Sequence, residues 1–156
     1  MKLPVKILIG ILAVFVLIQF IRPAKNVGKA MLGTDITNIV AVPPNIQNQL
    51  RTSCYDCHSN NTNYPWYANV QPVGWWLANH IKEGKGELNF NEFGSYSKRR
   101  QLSKLKAIGK SIQDGSMPLS SYTLIHRNAK LSAEDKQMIM DWAGKAKDSL
   151  TRIYEP

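Results

Sequence analysis

The 156-residue chain is short of several things, and each shortage closes off a class of protein. It has only two cysteines and three histidines. A closed structural zinc site takes four ligands, so Cys54 and Cys57 would need two partners from His58, His80 and His126. A disulfide between two cysteines so close in sequence would close a ring too small to add much stability. No strand pattern surrounds them, which argues against a thioredoxin-like pair in a βαβ context. Acidic residues number 11 against 20 basic ones, giving a net charge of +9, yet no nucleic-acid-binding motif accompanies the excess. There is no internal repeat, no low-complexity tract and no arrangement of nucleophile, base and orienting group that would mark a catalyst.

One long apolar run is present. Lys2 and Lys6 precede residues 7–21, which are broken only by Gly10 and Gln19 and closed by Arg22-Pro23. These are the charged and apolar regions of an export signal, but no small-x-small cleavage site follows. The run also lacks a polar stripe, as a core helix would have. It predicts an uncleaved signal-anchor helix over residues 1–23, with a cleaved signal as the alternative. Residues 3–21 would span about 28 Å, barely a hydrocarbon core. Charges on both flanks do not set the orientation.

The two cysteines belong to Cys54-Tyr55-Asp56-Cys57-His58. C-x-x-C-H is the attachment signature of c-type haem. Two thiols at this spacing can each add to one vinyl group of a haem edge, and the adjacent imidazole of His58 can take an axial position on the iron. One covalent haem c is therefore the expected cofactor, with His58 as the first metal ligand. Such haem is attached outside the bacterial cytoplasm, by dedicated attachment machinery, so the domain is expected in the periplasm on the cytoplasmic membrane.

Hydrophobic spacing around the motif is helical. Residues 24–42 look like a linker and end at Pro43-Pro44. Ile46, Leu50, Cys54 and Cys57 fall four, four and three apart, one face of a first helix. A second opens near Pro72 and carries Val73, Trp76, Leu77 and Ile81, with Gly84-Lys85-Gly86 as its stop. A third, over residues 97–113, buries Leu102, Leu105, Ile108 and Ile112 and ends at Asp114-Gly115. Residues 116–130 read as a loop around Met117-Pro118. Ser132 and Asp135 then form a capping box for a last helix with Ile139, Trp142 and Ala143 inward. The fold class is all-α: a bundle of three or four short helices around one haem, over residues 43–150, with a tail at 151–156.

The second axial ligand decides the chemistry. Met117 is the first choice, because it follows a helix stop and Pro118 holds its backbone extended. Met/His ligation raises the potential and suits an electron carrier. His80 is the main rival, His126 the third candidate, and an open position the fourth. Tyr64, Trp66, Tyr67, Trp75 and Trp76 are candidates for an aromatic wall that excludes water from the haem edge.

Beyond the motif, the chain resembles a known family, the small bacterial haem-binding domains of the cytochrome c type, often membrane-anchored. The matching residues are Cys54-Tyr55-Asp56-Cys57-His58-Ser59-Asn60, Tyr64-Pro65-Trp66-Tyr67, Pro72, Trp75-Trp76-Leu77, His80-Ile81, Gly84, Leu88-Asn89-Phe90, Met117-Pro118, Leu131-Ser132 and Asp141-Trp142. The likeness covers roughly residues 40–145, and Gln19-Phe20-Ile21-Arg22-Pro23 is similar to the family's N-terminal segment. It implies a monohaem, helical, cytochrome c-like domain.

The expected function is a membrane-tethered one-electron carrier rather than an enzyme. The alternative is a haem sensor or small peroxidase-like enzyme with a labile sixth ligand, using His126 or Arg127 as an acid-base group. Lys98, Arg99, Arg100, Lys104, Lys106 and Lys110 have no acid among them. They offer either a solvated helix face or a docking face for an acidic redox partner or anionic lipid.

Overall fold

The computed structural model describes residues 2–28 and 33–154. Among them no strand forms, and one isolated bridge pairs Val27 with Asn61. The helices are α1 (Leu3–Ile18), α2 (Ile36–Ile39), α3 (Pro44–Ser53), α4 (Tyr55–His58), α5 (Val73–Glu87), α6 (Lys98–Gln113), α7 (Ser120–Ile125) and α8 (Ala133–Tyr154). Tight 3-10 turns lie at Trp66–Asn69, Phe90–Ser95 and Arg127–Ala129.

The four helices expected in the domain are all present, and local chemistry sets their starts. Pro44 opens α3 with a fixed φ and no N–H to leave unpaired. The Ser97 hydroxyl accepts from the Arg100 amide at the head of α6. At α8 the capping box closes in both directions. The Ser132 hydroxyl accepts from Asp135 N at 3.0 Å, and the Asp135 carboxylate accepts from Ser132 N at 3.1 Å.

Helices α6 and α8 form the main pair of the core. Leu105, Ile108 and Ile112 meet Ile139, Trp142, Ala143, Ala146 and Leu150. Ile46 and Leu50 of α3 close the third side, with Phe90 and Phe93 at 1 % and 0 % exposure beneath them. Burying each such side chain contributes about 1.5–3 kcal/mol. The α8 helix runs on through Thr151 to Tyr154, whose hydroxyl donates to Gln101 Oε1, so the expected tail is helical as far as it is described.

Other expectations change on contact with the fold. The stretch 24–42 does more than connect: Asp35 caps α2, and Ile36 and Val40 are buried in the core. Residues 29–32 of that stretch, and 155–156 of the tail, lie outside the described residues. Helix α5 runs past Gly84 and Gly86 to Glu87. The expected loop over 116–130 contains α7, and the first helix breaks at Cys54.

The α1 helix ends at Ile18, shorter than the apolar run. Gln19 turns away there: its Nε2 donates to Phe15 O and Gln71 O, and its Oε1 accepts from Gln71 N at 2.8 Å. Trp75 Nε1 donates to Ile21 O at 2.7 Å. The foot of α1 is thus fastened to the start of α5. None of α1 is buried. No helix among the described residues is long and apolar enough to cross a membrane.

Candidate functional site

The C-x-x-C-H motif sits on a corner rather than on a continuous helix. Cys54 leaves α3 with φ −130° and ψ −38° while its N–H still donates to Leu50 O. Its carbonyl then accepts from Cys57 N and His58 N, which closes the single turn of α4. That turn is pinned from outside. Thr62 Oγ1 donates to Asp56 O at 2.6 Å, and Asn63 N donates to the Asp56 carboxylate at 3.1 Å.

Two adjoining cavities, about 240 and 210 Å³, open beside this corner. The first is walled by Cys54, Cys57, His58, His80, Met117 and Pro118. The second shares Cys54, His58, Met117 and Pro118, and adds an apolar wall from Leu50, Leu88, Phe90, Ile108 and Ile112. The two thiols are not joined in a disulfide.

His58 is oriented by a group 30 residues away. Its Nδ1 lies 3.0 Å from Leu88 O, and a carbonyl can only accept, so Nδ1 carries the proton. The neutral ring then has its lone pair on Nε2. Burial holds the imidazole below its usual pKa, against the raising effect of the Leu88 and Gly84 carbonyls and Glu87. A second-sphere carbonyl that fixes the tautomer is what a metal-ligating histidine needs. Burial, with Cys57 beside it, pushes the Cys54 thiol up to about 12. Burial and Asp56 push Cys57 up to about 11.

The sequence candidates divide into two groups. Cys54, Cys57, His58, His80, Met117 and Pro118 meet at one cavity. Tyr64, Trp66, Trp76 and His126 are not among the residues that wall either half of it. Tyr64 is turned toward the segment after α1, its hydroxyl accepting from Asn26 N at 2.6 Å. Trp66 is 80 % exposed. Trp76 is 47 % exposed and lies against His80, with ring centroids 4.3 Å apart. His80 Nδ1 donates to Trp76 O at 3.1 Å, leaving Nε2 as its basic nitrogen. Trp75 serves the foot of α1. The expected aromatic wall is therefore replaced by Leu50, Leu88, Phe90, Ile108 and Ile112, because α3, α6 and the Phe90–Ser95 turn supply the nearer surface.

Several site residues carry no sequence signal of their own. Tyr122 walls the first cavity and donates to Asp56 Oδ2 at 2.7 Å. Burial and that carboxylate push its phenol pKa up. The Tyr122 ring stacks on His126 at 4.3 Å, and His126 Nε2 lies 2.7 Å from Tyr67 Oη. Lys104 stands in the second cavity wall, paired with Glu87 at 3.1 Å. Asp56 could have been noticed as a charge inside the motif, and Lys104 belongs to the basic run over residues 98–110; Tyr122 looks like an ordinary surface residue in the sequence.

The residues present fit a haem. Two imidazoles, His58 and His80, two unpaired thiols and one thioether border a space with an apolar wall, as a macrocycle edge requires. Among the described residues, no group of three or more His, Cys, Asp or Glu is arranged to hold a bare metal ion, so the zinc arrangement is not met there.

A model of the haem-binding domain family matches residues 13–145, and the chain belongs to that family. No curated protein and no solved structure matches the chain.

Proposed function

We propose that this member of the haem-binding domain family is a monohaem c-type cytochrome that carries single electrons while held to the bacterial cytoplasmic membrane, its haem domain on the periplasmic side. The observation that carries the reading is the convergence of Cys54, Cys57, His58 and Met117 on one cavity, with His58 Nδ1 committed to Leu88. Haem bound there supplies iron that cycles between ferric and ferrous states.

The chain's own residues do the rest. Cys54 and Cys57 each offer one thiol for a thioether, made by attachment machinery during maturation. His58 offers a neutral Nε2 and Met117 a soft thioether on the same cavity, with His80 as the rival to Met117 there; His126 lies off the cavity, its Nε2 against the Tyr67 hydroxyl. Leu50, Leu88 and Phe90 keep water from the apolar edge. Lys104 places a cation on the cavity wall where a propionate can pair with it in place of Glu87.

Exposed Arg99, Lys106 and Lys110 on α6 present positive charge to an acidic redox partner. The exposed apolar side chains along α1, none of them buried, support the membrane tether, and the Gln19–Gln71 contacts would hold the domain close to it. The sixth ligand separates the carrier from its runner-up, a labile-site sensor or peroxidase-like enzyme. That second reading draws on the Tyr122–His126 stack at the cavity edge.

The test is maturation in a host with haem-attachment machinery. Intact-protein mass should rise by one haem, and acidified organic solvent should fail to extract it. Voltammetry should then give one reversible one-electron wave. A bare polypeptide mass ends the reading. Rapid peroxide turnover that is lost in His126→Ala would favour the runner-up.

A further inference from the structure

The Met117 side of the cavity has little to hold it. Met117 N donates to Ser111 O at 3.1 Å, which ties its backbone to the end of α6. Beyond Pro118 the chain enters α7, six residues with none buried and no side-chain cap. A helix this short does not hold itself together in water. Its position must come from contacts made by individual side chains.

Tyr122 makes the contact that matters to the site. It stands on α7, five residues after Met117, and its hydroxyl reaches Asp56 Oδ2 at 2.7 Å across 66 residues of sequence. Asp56 is one of the two residues between the thiols, and it is held on two sides. Its other carboxylate oxygen accepts from Asn63 N and its carbonyl accepts from Thr62 Oγ1. Both Tyr122 and Asp56 wall the same cavity as Met117, Cys57 and His58. Behind Tyr122, the His126 ring stacks on its face and is held by the Tyr67 hydroxyl. One hydrogen bond to a charged acceptor therefore joins the two sides of the cavity, the attachment corner and the Met117 segment.

We propose that Tyr122 is a positioning residue: its hydrogen bond to Asp56 latches the Met117 segment to the haem-attachment corner and sets how often the sixth position is vacant. The inference rests on Met117 being the sixth ligand. When the bond is made, α7 and Met117 stay against the cavity. When it is absent, α7 keeps the Tyr67–His126 hydrogen bond but loses its tie to the attachment corner, and Met117 leaves more often. A hydrogen bond to an ionised acceptor is strong enough to shift such an equilibrium by about tenfold or more. An external ligand that binds only the vacant form should then bind faster by the same factor.

The experiment uses the full-length, haem-loaded chain in detergent. Carbon monoxide is mixed with the ferrous protein and the binding rate is measured, and the weak far-red iron–sulfur band of the ferric protein is recorded alongside. Wild type should show the band and bind carbon monoxide slowly. Tyr122→Phe keeps the ring and its stack, and should bind about tenfold faster or more with a weakened band. Asp56→Ala should do the same, and the double variant should go no further than either single one. Asp56→Asn keeps an acceptor and should stay closer to wild type. Asp56→Ala also serves if Tyr122→Phe does not fold. If wild type shows the band but both Tyr122→Phe and Asp56→Ala bind within twofold of its rate, the latch is overturned and the ligand reading stands. If wild type lacks the band and binds carbon monoxide at once, the ligand reading falls and takes the latch with it.

Discussion

A β-carbon on Gly84 would lie 2.9 Å from the carbonyl oxygen of Cys57 and 3.3 Å from its Cβ. Helix α5 thus reaches the motif turn through bare backbone, and this approach sets the depth of the cavity corner. Gly84→Ala forces the two apart. It should destabilise the chain by about 1–3 kcal/mol, as overpacking does, and lower the yield of haem-loaded protein. Gly109, in the middle of α6, has nothing within 4 Å of its would-be Cβ. Gly109→Ala should instead stabilise by about 0.5–1 kcal/mol. Urea titrations of the two variants check the opposite signs.

His58 makes the haem-free chain sensitive to acid. Burial lowers its pKa in the folded state, so the unfolded chain takes up the proton first as pH falls. Stability should be level above pH about 6.5 and decline below it, until the folded state also protonates. Urea midpoints at pH 7.5, 6.5 and 5.5 measure the decline, and His58→Gln should flatten it. In the loaded protein, protonation competes with the iron for the same nitrogen. Acid should then abolish the low-spin spectrum while the mass of the attached porphyrin persists.

The thiols should be sluggish before haem is attached. With Cys54 pushed up to about 12 and Cys57 to about 11, both are protonated at neutral pH. Only thiolate reacts with iodoacetamide, so alkylation of the folded haem-free chain at pH 8 should be about a hundredfold slower than in urea. The rate in the folded chain should rise about tenfold per pH unit from pH 8 to pH 10. Equal rates in the two states would contradict the burial.

Asn89 supports the site from below. It is 2 % exposed; its Nδ2 donates to Asn60 Oδ1 at 2.7 Å and its Oδ1 accepts from Asn91 N. Leu88, which holds His58, is its neighbour. Asn89→Ala strands both partners and should cost about 1–3 kcal/mol for each group left buried without a partner. Thermal melts of the haem-free chain would show the loss, and loaded protein should show a perturbed potential as Leu88 O shifts.

Helical structure was legible wherever a stripe was. Ile46 and Leu50, Leu105 and Ile108, and Ile139 and Trp142 repeat at helical spacing and are buried as that spacing requires. The capping box at Ser132 and Asp135 was legible because it is four residues of local chemistry. Helix α7 was not: Ser120-Ser121-Tyr122-Thr123 are weak helix formers with no apolar stripe, and their helix depends on tertiary contacts such as Tyr122 to Asp56. The break at Cys54 was hidden for the opposite reason. Its spacing from Ile46 and Leu50 fits an unbroken helix, and only the backbone angles of one residue depart from it. That Tyr64 and Trp66 are aromatic suggests a wall for the haem edge but says nothing of direction: Tyr64 meets Asn26 N, and Trp66, in the turn that packs on α5, is exposed.

By itself the sequence determined the cofactor chemistry on offer, because two thiols and an imidazole within five residues owe their closeness to covalent spacing. Which groups face them was decided only by the tertiary structure. Leu88 is 30 residues from His58, Tyr122 is 66 from Asp56, and nothing in the local chain relates either pair. They meet because α3, α6 and α8 bury their stripes against one another, and the chain between those helices has to close over whatever space the packing leaves.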